Sequence, residues 1–199
     1  SILNICMGRT KLFLLEGNSL RVFMSPNLNS DHHIIFQFPD SWIRKAQEIR
    51  GKEDSIPGKQ VFDSDNRWVG KIGEWAFYSV YKFKAVTQHF NPSKYDFQSD
   101  RGLRYEVKTN VSNYPFKDNF EFNINDRQFR KNDNDVYVIC HYFLNSPFIR
   151  LCGWIYKRMV QTRGRLLRKG EQYSSKFPVR ADQWSIPYRE LNSMHLLPG

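Results

Sequence analysis

Tyr95-Asp96-Phe97-Gln98-Ser99-Asp100-Arg101-Gly102-Leu103-Arg104-Tyr105-Glu106-Val107-Lys108-Thr109 is the stretch on which the reading of this chain turns. Ser99 to Gly102 is turn chemistry, Asp and Gly between two runs rich in aromatic and β-branched residues. A hairpin over about 86–110 is expected, with Asp96 on one arm and Glu106 and Lys108 on the other. Residues two apart on a strand face the same side. Glu106 and Lys108 therefore point one way and Val107 into the opposite layer.

Other elements follow outward from the hairpin. Upstream, Trp68, Val69, Ile72, Trp75, Ala76, Val80 and Tyr81 recur on one face of a helix running to about residue 83. Before that come a polar loop at 51–65, a helix opened by Pro39-Asp40-Ser41 and carrying Trp42, Ile43, Ala46 and Ile49, and a strand at 33–38. Downstream, 113–118 is a loop with Pro115, 120–124 a short strand and 125–132 a short basic helix with Asp126 near its start. Residues 136–144 and 148–154 form a strand pair turned at Asn145-Ser146-Pro147. A helix over about 155–167, ending near Gly170, and a helical turn at 188–191 complete the chain. This order predicts an α/β (α+β) domain around a mixed sheet. The expected division is an N-terminal extension, 1–65, whose strand and helix pack on a core of 66–199 with a basic C-terminal segment. Met7 and Met24 are both plausible starts, so residues 1–23 are read as upstream sequence, a processed remnant or an added segment.

The 199 residues are 40% hydrophobic and 16% aromatic, which supports a packed core. The net charge is +10, and the isoelectric point is near 9.6, a balance suited to a polyanion such as nucleic acid. No apolar run reaches the roughly 20 residues of a membrane span. Three cysteines, Cys6, Cys140 and Cys152, do not make a disulfide framework. Cys140 and Cys152 read as buried thiols, which points to a reducing, cytoplasmic setting. His32-His33 lacks zinc spacing, and Cys140 and His141, adjacent on a strand, face opposite ways and form no nucleophile pair. The five tryptophans read as core.

The hairpin's charged groups suit phosphate chemistry. A divalent metal acidifies a water and neutralises charge on a phosphate. Mg²⁺ takes oxygen ligands, usually one or two carboxylates with waters. Asp96 and Glu106 supply these, and the Val107 carbonyl a third oxygen. Lys108 is placed to orient the attacking water or stabilise developing charge. Glu-x-Lys alone also fits a solvated ion pair on a strand. Gly70-Lys71-Ile72-Gly73-Glu74-Trp75 adds context, because Glu74 falls on or near an apolar helix face and the glycines allow close approach to a sheet or a phosphate. Asp100 is a rival ligand, but it lies in the turn, where Asp is common for local reasons.

These motifs resemble the PD-(D/E)xK nuclease superfamily, the restriction-endonuclease-like fold. The resemblance covers about 66–154: Gly-x-x-Gly-Glu at 70–74, Asp96, Glu-x-Lys at 106–108, then Asp135-Val136-Tyr137-Val138 and Leu151-Cys152-Gly153-Trp154-Ile155. Gly170-Glu171 and Ile186 to Leu191 are similar to the closing segments of phage and mobile-element members. Tyr95 stands where the family's motif has Pro. The resemblance implies a restriction-endonuclease-like mixed β-sheet flanked by helices. It also implies a Mg²⁺-dependent DNA endonuclease of restriction, homing or phage type, with Mn²⁺ as substitute metal. Asp96 and Glu106 would be metal ligands, Lys108 the catalytic lysine, and Glu74 an accessory acid at the metal. A homodimer would address two strands. The alternatives are a non-catalytic DNA-binding or assembly module on the same fold, and an RNA-directed endonuclease.

DNA contacts are expected from Arg101 and Arg104 beside the hairpin turn, and from Arg127, Arg130 and Lys131 on the short helix, where Gln128 is a further polar candidate. The segment 155–180 carries eight cations against Glu171 alone, lacking the mixed signs of an ordinary solvated face. Arg163, Arg165, Arg168 and Lys169 are its leading phosphate contacts.

Overall fold

The computed structural model describes residues 2–7, 10–15, 22–23, 33–54, 68–85, 95–117, 119–172 and 178–199. Twelve strands and four α-helices lie within them. In chain order they are β1 (Ile2–Met7), β2 (Thr10–Leu15), β3 (Val22–Phe23), β4 (Ile34–Gln37), α1 (Asp40–Asp54), α2 (Val69–Tyr81), β5 (Lys84–Ala85), β6 (Phe97–Gln98), β7 (Arg104–Ser112) and β8 (Glu121–Asn125). There follow α3 (Asp126–Lys131), β9 (Val136–Phe143), β10 (Phe148–Tyr156), α4 (Val160–Arg163), β11 (Arg165–Leu167) and β12 (Gln183–Pro187).

Strands β1 and β2 pair with each other, and the rest make two sheets: a seven-stranded one ordered β3-β4-β10-β9-β7-β6-β5 and a three-stranded one ordered β11-β12-β8. The larger is mixed, since β7 and β9 run parallel while its other pairings are antiparallel. The chain is thus a mixed α+β protein whose large sheet carries helices. Central β9 is buried on both faces through Tyr142, as its near-continuous apolar run requires.

The two faces of the large sheet hold two cores. Tyr105, Val107, Val136 and Val138 pack with Ile72, Ala76 and Phe77 of α2 and with Ala46 of α1. Tyr137 and Ile139 pack on the other side with Phe122 and Ile124 of β8, Phe129 of α3 and Ile186 of β12. The alternation expected of β7 therefore holds: Tyr105 and Val107 face α2, and Glu106 and Lys108 face the small sheet. Gly73 is what lets α2 approach so closely. A Cβ there would lie inside van der Waals contact of Thr109 Oγ1 and 3.6 Å from Val107 Cγ1, whereas one on Gly70 would meet nothing within 4 Å. The strand and helix of the expected extension, β4 and α1, belong to the same sheet and core, β4 pairing with β10.

Three expectations need correction. Helix α1 continues to Asp54, so 51–54 are helical; 55–65 lie outside the described residues. Strand β10 runs on to Tyr156, which pairs with Val136, instead of yielding to a helix at 155. The helix expected to 167 is a 3-10 turn at Lys157–Met159 and one α-turn, α4. Gly164 stops it in an extended conformation, packed so that a Cβ would meet Val160 O at 2.7 Å and Ile186 Cγ1 at 2.8 Å. The chain then pairs as β11 with β12, burying Leu167.

Candidate active site

The hairpin turn closes as its residues dictate. Gly102 N donates to Ser99 O at 2.9 Å, Ser99 N donates to Leu103 O at 2.9 Å, and Gly102 takes the positive φ of 82° that glycine tolerates. Phe97 pairs with Tyr105 and Gln98 with Arg104. One step beyond, Asp96 N donates to Tyr105 O at 2.8 Å, which sets Asp96 opposite Glu106 on the same face. Side chains so placed have Cβ atoms about 4.5–5.5 Å apart. Asp96 Oδ2 accepts the Val107 N–H at 2.8 Å, standing in for a strand partner. Main-chain N–H and C=O of one strand residue point to the same neighbour, so the Val107 carbonyl also opens toward Asp96.

Glu106 is buried and accepts from Lys108 Nζ at 2.6 Å. Glu74, one residue past the close approach of Gly73, is largely buried and paired with Lys71 at 2.9 Å. Desolvation holds the Asp96 carboxyl well above the usual carboxylate range. The charges of Glu106 and Glu74 push it further up, while the Val107 N–H and Lys108 pull it down. The fold thus brings together the four residues singled out in the sequence, Glu74, Asp96, Glu106 and Lys108. Like charges about 4 Å apart repel by roughly 4 kcal/mol at an effective dielectric near 20, so the group favours an added cation or proton.

Among the described residues no three His, Cys, Asp or Glu side chains are arranged to hold a metal. The donors that suit Mg²⁺ are two carboxylates, Asp96 and Glu106, and a carbonyl. This hard, all-oxygen set fits a metal that keeps most of its waters. Tyr137 is a neighbour that sequence reasoning missed. It pairs with Glu106 across β7 and β9, is fully buried, and its hydroxyl is held protonated chiefly by burial and next by the charge of Glu106. Only the parallel register could have found it. Asp100, the rival ligand, is exposed in the turn.

The expected DNA contacts divide into two groups. Arg101, Arg127, Lys131 and Lys169 are exposed. Arg104 instead forks onto Asp135, Nε to Oδ2 and Nη2 to Oδ1, each at 2.9 Å. Arg163 Nη1 donates to Glu190 O at 2.8 Å and to Asn192 Oδ1 at 3.3 Å. Arg165 pairs with Glu171, Arg168 with Asp182 at 2.9 Å, and Arg130 with Asp126 at 2.8 Å. The exposed Gln128 donates its backbone N–H to the Asn125 side chain, which caps α3.

His33 Nδ1 lies 2.5 Å from Cys152 O; Cys6 falls in β1, in register with Lys11 of β2, and His32 and His89 lie outside the described residues. Cys140 and Cys152 are buried free thiols, in the cores on opposite sheet faces. No helix among the described residues is long and apolar enough to cross a membrane. No protein-family model matches the chain, and no curated protein matches it.

Proposed function

We propose that the chain is a divalent-metal-dependent nuclease that hydrolyses DNA phosphodiester bonds, on the restriction-endonuclease-like fold its motifs resemble. The observation that carries this reading is the desolvated Asp96 carboxyl, raised by Glu106 and Glu74, with Lys108 Nζ 2.6 Å from Glu106. A carboxyl whose ionisation is opposed by burial and by two neighbouring acids is an arrangement that a bound cation would relieve.

Asp96, Glu106 and the Val107 carbonyl would hold Mg²⁺, or Mn²⁺ in its place, and the metal would supply Lewis acidity and a more acidic water. Glu106 positions Lys108 through their ion pair, and Lys108 places positive charge where the phosphate gains negative charge. Glu74 restrains Lys71 and adds negative potential behind Asp96, which strengthens retention of a cation.

Cleavage of plasmid and linear DNA with Mg²⁺, Mn²⁺ or Ca²⁺ tests the proposal. Glu106→Ala and Lys108→Ala should each lower metal-dependent cutting by about 10²–10³-fold while folding and DNA binding persist. Undiminished cutting by either variant would falsify it. Competition among duplex DNA, single strands and RNA fixes the substrate, and sedimentation in the presence of DNA tests whether two copies act together. One observation favours a second reading, a non-catalytic DNA-binding module: Lys108 is already closed onto Glu106. That reading expects binding with steep salt dependence and no product with any metal.

A further inference from the structure

The face of the large sheet that carries Glu106 and Lys108 holds a second feature, farther along the strands. Lys108 is in register with Ile139, and Asn110 with His141. His141 pairs with Arg150, which pairs with Ile35, so these three side chains form one row across β9, β10 and β4. Phe143 and Phe148 make the next row, and the loop after β7 brings Phe116 over it. Together they line a cavity of about 230 Å³. Its row lies about 13 Å along β7 from Glu106, four residues at about 3.3 Å each.

The chemistry of the lining is specific. It has three phenylalanine rings and one imidazole, Arg150 is its cation, and no Asp or Glu lines it among the described residues. The Arg150 guanidinium carbon lies 4.5 Å from the centre of the Phe116 ring, a cation–π contact that sets positive charge beside the aromatic wall. Phe143, one of the lining residues, is 38% exposed, so part of its aromatic surface is open to solvent. The His141 ring is fixed in place, Nε2 3.2 Å from Ser112 Oγ and Nδ1 3.5 Å from the Tyr188 hydroxyl. The volume is below the roughly 300–1,000 Å³ of drug-sized pockets and suits one flat ring system.

We infer that this cavity holds a single unstacked nucleobase of a single-stranded stretch of nucleic acid, the base against Phe143 and its phosphate at Arg150. Every base has a π-face for an aromatic ring, and a guanidinium fork matches a phosphate in two hydrogen bonds. An apolar peptide side chain would use the rings but not the cation, and an acidic one would use the cation but not the rings. The inference rests on a polynucleotide as partner of the proposed nuclease, and not on its cleavage.

The test is fluorescence anisotropy with a labelled oligothymidylate, a length-matched strand lacking bases and a duplex, all in chelator so that nothing is cut. Phe143→Ala should weaken binding of the base-containing strand about tenfold, with melting temperature, salt slope and duplex affinity kept. It should leave affinity for the abasic strand unchanged. Arg150→Lys should weaken both strands alike. Equal oligothymidylate affinity in wild type and Phe143→Ala overturns the inference, as does a matching loss on the abasic strand or duplex, or no binding of nucleic acid at all. A wild type that binds as expected but cuts no DNA with any metal removes the nuclease reading and leaves this site standing. One that cuts while Phe143→Ala binds normally removes this site alone.

Discussion

At the scale of single residues, Asp96 has two jobs that pull against each other. Its carboxylate closes a backbone hydrogen bond to Val107 at 2.8 Å, and its charge is opposed by burial, Glu106 and Glu74. A carboxyl whose folded pKa is raised binds its proton more tightly in the folded chain than in the unfolded one. Its contribution to stability is therefore complete below the ordinary value of 3.8 and is lost as pH rises through the folded value. Asn keeps an oxygen for the Val107 N–H and carries no charge. Asp96→Asn should accordingly melt higher than wild type above neutral pH in chelator, with the gap closing toward about pH 4. Added Mg²⁺ should raise the wild-type melting temperature and leave the variant unmoved, since a ligand stabilises only the state that binds it. A variant that melts at or below wild type across the range would show that the hydrogen bond outweighs the repulsion.

At the scale of elements, the contact between α2 and β7 positions Glu74, and Gly73 decides it. Gly73→Ala forces a methyl into Thr109 Oγ1 and should destabilise by about 1–3 kcal/mol through overpacking. Thr109 Oγ1 is buried with no hydrogen-bond partner, so Thr109→Ala alone should be close to neutral or stabilising. Combining the two should restore most of the Gly73→Ala loss in denaturant melts; simple additivity would mean that the helix had moved instead. This contact shows why part of the design was legible in the sequence. Period-2 alternation gave the common face of Glu106 and Lys108, turn chemistry set Asp96 against Glu106, and the α2 stripe placed Glu74 near the sheet. Each rests on neighbours a few residues apart. β11 was not legible, because Leu166-Leu167 fits a helical face as well as a strand. The choice was made by Gly164 and by β12, some twenty residues later, which offered a partner. Tyr137 beside Glu106 was hidden for the same reason, since a parallel register has no local sign.

At the scale of the whole molecule, the net charge of +10 overstates what a polyanion can use. Partners distant in the chain engage several of the cations that composition marked. Asp135, 31 residues from Arg104, fixes its fork, and Glu190, 27 residues from Arg163, holds its guanidinium. Arg101 remains exposed on the hairpin turn, and outside the hairpin Arg127, Lys131 and Lys169 remain exposed, on α3 and on the turn after β11. The two sets should separate by experiment. Each phosphate contact adds about 0.9 to the slope of log affinity against log salt on duplex DNA. Changing Arg127, Lys131 or Lys169 to Ala should lower that slope by up to about one for each residue that touches a phosphate, with little change in melting temperature. Arg104→Ala should do the reverse. It strips Asp135 of the guanidinium that is the main cause of its lowered pKa, and that stabilisation is present above the ordinary Asp value and lost as pH falls through the lowered one. The Arg104→Ala deficit in melting temperature should therefore be full near neutrality and fade below about pH 4, while the salt slope holds. A salt slope that falls for Arg104→Ala and not for the exposed three would move the nucleic-acid surface from α3 and β11 to the hairpin itself.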